Sequence, residues 1–230
     1  MIQVRVRFFA GHRDIVGQPE LTCALEPGAT VESLWEQLVT DYPRLRGYTG
    51  RLLYAVNQEF SDYATTLQDG DEVAFIPPVS GGTHAGNAAT SGTQVEPFQI
   101  TSAPLDPAPL VDYVQSPKDG AVVTFAGVVR NHFGGRATAS LTYEAYAEMA
   151  VPMLAQLAEE SRSRWPVGRI AVHHRVGRLE IGETAVLVVV AAPHRQAAFH
   201  AAEYIMDRIK EVVPIWKQEH WADGANEWRE

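Results

Sequence analysis

The stretch Asp69–Gly82, DGDEVAFIPPVSGG, sets the organisation of this chain. It opens on an Asp-Gly turn signal, runs through a compact apolar strand and ends on a diglycine, Gly81-Gly82. Backbone without side chains can approach a partner closely and adopt almost any φ/ψ, as a tail that threads into a narrow active site requires. Here the diglycine is internal, and the carboxyl group of Gly82 is held in a peptide bond to Thr83. The segment that follows, THAGNAATSGTQ, has no aromatic residue, no branched aliphatic and no charge apart from His84, and is predicted to be a flexible linker.

Upstream, MIQVRVRFF alternates, with Ile2, Val4, Val6 and Phe8 on one face, a pattern expected of a strand and not of a signal peptide. A short helix is expected at 12–17 and a second strand at 20–25. Thr30 is positioned to cap a helix over 31–42 that Pro43 ends, with further strands at 52–56 and 72–76. Strand, strand, helix, strands in so short a span predict a β-grasp, ubiquitin-like domain over residues 1–82.

Beyond the linker, 83–95, a second domain is expected over 96–230, with α+β composition. Strands are predicted at 98–101, 121–129, 140–146, 169–176 and 184–192, the last (TAVLVVVAA) apolar enough to be covered on both faces. Helices are predicted at 107–115, at 148–164 with Pro152 in the first turn, and at 195–213. The last is expected to bury Phe199, Ala202, Ile205 and Ile209 before Pro214 stops it. The segment IWKQEHW then leaves it as extended chain.

The formal net charge of −9 argues against a general nucleic-acid binder, and no apolar run approaches the roughly 20 residues that span a bilayer. A single cysteine, Cys23, excludes an internal disulfide and fits a reducing, cytoplasmic compartment. It lies in apolar LTCAL and reads as a small buried hydrophobe. His173 and His174 are adjacent on a strand and must point to opposite faces, and no spacing supports a metal site.

The nineteen basic residues include only three lysines, Lys118, Lys210 and Lys217. A desolvated lysine can lose its proton and act as nucleophile or acid/base, which arginine cannot. Spacing alone leaves open whether Lys210 and Lys217 serve chemistry or solvate a helix end. His194-Arg195 stands where a buried strand meets a helix start, a ready anion site and equally an ordinary surface position. Arg130 closes a strand beside a Gly-Gly turn, and Glu219 is placed to pair with either lysine.

LLYAVNQEF and the diglycine segment together resemble the small subunit of molybdopterin synthase, a ubiquitin-like sulfur carrier. DGAVVTFAGVVRNH (119–132), RWPVGRIAVHHRVG (164–177), APHRQAAF (192–199) and YIMDRIKEVVPIWKQE (204–219) resemble its large, catalytic subunit. The resemblance implies a fusion of both subunits, with an α/β-hammerhead-type catalytic domain. It implies that an adenylating, sulfurating enzyme converts the carrier's terminal glycine to a thiocarboxylate. Sulfur then passes to cyclic pyranopterin monophosphate, giving the dithiolene of molybdopterin, with no tightly bound cofactor. Lys210 corresponds to the catalytic lysine and Lys217 to a second active-site lysine. Arg130, His194 and Arg195 correspond to pterin- and phosphate-binding positions, with Glu219 in the same pocket. An anionic substrate calls for a local cluster of Arg130, Arg195, Lys210 and Lys217. The family's large subunit forms a homodimer whose partner contributes to the site. A thiocarboxylate needs a free carboxyl at Gly82, so a protease is expected to cut Gly82–Thr83. The alternatives are a sulfur carrier for another pathway and an uncut, non-catalytic pterin-binding scaffold.

Overall fold

The computed structural model describes residues 1–78 and 95–229, and the chain divides into two compact units between Pro78 and Val79. Gly81, Gly82, the expected cleavage point and nearly all of the 83–95 linker lie outside the described residues.

In the first unit, β1 (Ile2–Phe8) pairs antiparallel with β2 (Glu20–Leu25) and parallel with β5 (Glu72–Ile76). β3 (Leu53–Val56) and β4 (Glu59–Ser61) complete a sheet of order β2-β1-β5-β3-β4. The alternation of β1 is realised, with Val4, Val6 and Phe8 buried against α2 residues Val31, Leu34, Trp35 and Leu38 in one core. That helix, α2 (Val31–Asp41), begins at a reciprocal cap: Thr30 Oγ1 accepts from the Ser33 amide (3.3 Å) and Ser33 Oγ from the Thr30 amide (2.9 Å). This is the β-grasp arrangement. Gly70 takes the left-handed conformation the Asp-Gly turn needs (φ +87°). Cys23 is buried, and burial pushes its thiol pKa up.

Three elements differ from expectation, one of them a short 3-10 helix, Pro43–Tyr48, that follows α2. The short helix α1 (Ala10–Val16) starts two residues early and ends at left-handed Gly17. β4 was not foreseen, because its two-residue loop uses Asn57 and Gln58, both at positive φ, without the glycine that normally announces such a hairpin.

In the second unit, β6 (Phe98–Thr101), β10 (Ile170–Arg175), β12 (Thr184–Ala192) and β7 (Ala121–Val128) form a four-stranded sheet in that order. Ala185 through Ala192 are all buried. Leu187, Val189 and Ala191 meet Leu110 and Val114 of α3 (Pro107–Val114), and the alternate residues are buried on the opposite face. β8 (His132–Phe133), β9 (Arg136–Ala145), β11 (Gly177–Glu180), β13 (Ile215–Trp221) and β14 (Asn226–Arg229) build a second sheet of order β11-β9-β13-β14, with β8 folded onto β9. The strand expected at 140–146 is thus longer, because Gly134 and Gly135 (φ +54° and +80°) turn β8 back into it.

Helix α4 (Ala147–Arg164) carries Pro152 in its second turn, not its first. The proline has no N–H for the Glu148 carbonyl, a local loss outweighed by buried Met149, Met153, Leu154 and Leu157. Helix α5 (Arg195–Val212) buries Ala198, Ala201, Ala202, Ile205, Ile209 and Val212. Phe199 is instead 59 % exposed, since the buried stripe runs through Ala198 and leaves the next residue a third of a turn away. Among the described residues no helix is long and apolar enough to cross a membrane.

Candidate active site

Strand β13 leaves α5 at Pro214 and runs antiparallel to β9, presenting Lys217 and Glu219 on one face by the two-residue period of a strand. Lys217 is half-buried beside Tyr143 on β9 and Arg229 on β14, its cross-strand neighbours. Glu219 is 3 % exposed, with Oε1 3.9 Å from Lys217 Nζ and Oε2 accepting a 3.0 Å hydrogen bond from Thr138 Oγ1. The β7–β8 connection brings Arg130, and β8 brings Phe133, over this face. Arg130 Cζ, Lys217 Nζ and Arg229 Cζ lie 5.4, 5.1 and 4.9 Å from the Phe133 ring centroid.

Burial is the main cause that lowers the pKa of Lys217. Glu219 opposes the shift, and the charges of Arg130, Arg229 and Lys210 add to it. The Tyr143 hydroxyl is pushed up to about 12 by burial and by Glu219. Lys210, in the last turn of α5, is largely exposed and 3.9 Å from Asp207. This face can therefore hold an anion, and it carries one amine whose ammonium form is disfavoured.

His194 and Arg195 lie elsewhere. They stand exposed at the start of α5, where His194 is the N-cap and its side chain makes no capping bond. With Gly120, Pro193, Phe199 and His200 they line an open cleft of about 760 Å³. From His194 to Lys210 a straight helix rises about 24 Å. The expected cluster of Arg130, Arg195, Lys210 and Lys217 is thus not assembled within one chain, because a rigid helix separates Arg195 from the other three. The structure brings together Arg130, Lys217 and Glu219, within electrostatic reach of Lys210. It also places at this face Phe133, Thr138, Tyr143 and Arg229, which sequence inspection passed over. The Asp223-Gly224 turn (Gly224 φ +87°) was the available signal for the β13–β14 hairpin that carries Arg229.

His173 and His174 do face opposite ways. His174 is buried and pushed down to about 4 by burial, and the His173 ring meets the Glu96 carbonyl at 2.7 Å.

Residues 100–212 match the family described as MoaE protein, and residues 6–82 match the ThiS family. The chain is 46% identical over 130 residues to the molybdopterin synthase catalytic subunit of Bacillus subtilis (strain 168), spanning 56% of this chain and 83% of that protein. To the catalytic subunit of Nostoc sp. it is 45% identical over 132 residues, spanning 57% of this chain and 80% of that protein. The crystal structure of molybdopterin synthase from Staphylococcus aureus superimposes with a TM-score of 0.55 at 41% identity, over 58% of this chain and 96% of that one. A β-grasp carrier unit and a catalytic-subunit unit thus occupy one polypeptide, and the chain belongs to the molybdopterin synthase family of molybdenum cofactor biosynthesis.

Proposed function

We propose that this protein is a sulfurtransferase that carries its own sulfur donor. Gly82, freed by cleavage of Gly82–Thr83 and converted to a thiocarboxylate by an adenylating, sulfurating partner, delivers sulfur to cyclic pyranopterin monophosphate. A carbon–sulfur bond forms on the pterin side chain as a carbon–oxygen bond of the same carbon breaks, its oxygen leaving with the bonding pair and taking up a proton. Water then hydrolyses the acyl carbon–sulfur bond, so the carrier leaves as a carboxylate and the sulfur stays on the pterin. The processing protease and the reducing cytoplasm in which Cys23 stays a thiol belong to the same proposal. So does classing the second unit as an α/β-hammerhead-type domain.

The observation that carries this function is the convergence of Arg130, Lys217 and Arg229 on Phe133 above buried Glu219, in a chain that is acidic overall. Substrate phosphate and thiocarboxylate are both anions, and both are attracted to such a patch. Lys210 neutralises developing charge and moves protons as sulfur attacks, and Lys217, whose proton is more weakly held, shares the proton transfer.

His194 and Arg195 enter the site from a second copy of the chain. The separation along α5 supports this, as do exposed Phe125 (40 %) and Val128 (55 %) on edge strand β7 and Phe199 on α5, which offer apolar surface for a homodimer.

The test is sulfur transfer to cyclic pyranopterin monophosphate by protein from its native cell, together with its intact mass. A fragment ending at Gly82 with one oxygen replaced by sulfur is expected, and Lys210→Ala should abolish transfer. Full activity from an uncut chain would overturn the cleavage step, and an active Lys210→Ala protein would overturn the site.

A further inference from the structure

Arg229 stands directly across from Lys217 in the β13–β14 pairing, as Tyr143 does on the other side, so the three side chains form one row on one sheet face. Three cations share the Phe133 ring: Arg130 at 5.4 Å, Lys217 at 5.1 Å and Arg229 at 4.9 Å. A ring face attracts each of them weakly, while the cations repel one another.

The nearby acids do not balance them. Glu219 and Glu227 face each other two residues along the same strands. Lys217 lies 3.9 Å from Glu219 and Arg229 3.0 Å from Glu227. Glu227 is shared with Arg136 at 3.7 Å, and Arg136 also meets Asp223 at 2.8 Å. Among the described residues Arg130 pairs with no carboxylate. Four cations thus face three acids, with the surplus concentrated at Phe133. Such a surplus on a half-buried face is relieved when an anion binds there.

We infer that Arg229 is a substrate-binding residue: with Arg130 and Lys217 it grips the phosphate of cyclic pyranopterin monophosphate, and Phe133 fixes the spacing of the three cations. This rests on the proposed assignment of this face to the pterin. The planar guanidinium supplies paired donors in the geometry phosphate oxygens accept, which the single ammonium of Lys217 does not. The placement also accounts for why Arg229 is among the charges that weaken the hold of Lys217 on its proton.

The deciding experiment is calorimetric titration of cyclic pyranopterin monophosphate into the intact chain and into Arg229→Gln, Arg229→Lys and Glu227→Gln. Losing a charge-assisted contact should weaken binding in Arg229→Gln about tenfold or more, and flatten the loss of affinity with added salt. Arg229→Lys should recover part of the loss. Glu227→Gln, which frees Arg229 from its acid, should bind more tightly than wild type. Loss of the acid's own repulsion also favours an anion, so the gain counts for Arg229 only if Arg229→Lys reduces it in the Glu227→Gln background. If wild type binds and folded Arg229→Gln binds equally well, the inference is overturned. If Arg229→Gln does not fold, Glu227→Gln decides, and unchanged or weaker binding there overturns it. Absence of binding by wild type would remove the pterin assignment itself, a result distinct from the others.

Discussion

The carrier unit contains an acid-sensitive device in its core. His12 is fully buried, with its ring 4.4 Å from that of Tyr48 and 5.9 Å from that of Trp35. Nδ1 lies 3.1 Å from the Phe75 carbonyl oxygen, and Nε2 has no hydrogen-bond partner among the described residues. Burial pushes its pKa from an ordinary 6.5 down to about 4, against the opposing pull of the Phe75 carbonyl. The folded state therefore favours the neutral imidazole. The unfolded chain binds the extra proton between pH 6.5 and 4, so stability is complete above 6.5 and falls as pH drops through that window. With those two pKa values, going from pH 7 to pH 5 costs the folded carrier about 2 kcal/mol. For a unit of this size, with a urea dependence of about 1 kcal/mol per molar, the midpoint should fall by about 2 M. The assay is urea titration at both pH values, followed by the amide NMR signals of β1, which report this unit and not the one containing His174. His12→Phe keeps a ring in the site but cannot be protonated. It should be less stable at pH 7, since the Phe75 carbonyl loses its partner, yet lose much less than wild type on going to pH 5. If wild type and His12→Phe lost the same stability between pH 7 and pH 5, the reasoning would be refuted.

Two further outcomes concern the second unit. A Cβ at Gly120 would lie 2.8 Å from the Pro193 carbonyl oxygen, so Gly120→Ala must displace the backbone that delivers His194 and Arg195. It should cost about 1–3 kcal/mol in thermal unfolding and weaken pterin binding, and unchanged values for both would count against that junction as part of the site. Mixing inactive Arg195→Ala and Lys210→Ala chains should restore about a quarter of wild-type transfer, because half of random dimers are mixed and each has one intact site. No recovery, with mixed dimers shown by mass, would mean each site is built from a single chain.

Local signals in this sequence carried far where they depended on nearest neighbours. The alternation of β1, the cap at Thr30 and the uniformly apolar β12 each describe a segment whose burial follows from its own pattern. The candidate face was legible only in part. Lys217 and Glu219 are two residues apart on one strand, so their shared face could be foreseen. Phe133 and Arg229 reach it through the pairings of β8 with β9 and β14 with β13, whose register the sequence does not print. The separation of Arg195 from Lys210 was implicit in the helix between them. Residue type alone carries no such distance.

Fusion and sulfur chemistry pull against each other in this chain. A tether of a dozen residues would ordinarily give a carrier a millimolar effective concentration at its target. Under the proposed chemistry that advantage cannot be used, because the tether runs through the carbonyl carbon that must carry sulfur. While Gly82 is joined to Thr83 there is no thiocarboxylate, and once it is free there is no tether. The carrier must also leave after each transfer to be recharged, and a dithiolene needs two sulfur atoms, so one carrier loaded once cannot complete a pterin. What fusion can supply is equal production of carrier and catalytic units, matched before they meet. Under the proposed chemistry, the binding strength the tether would have given must then come from noncovalent contacts.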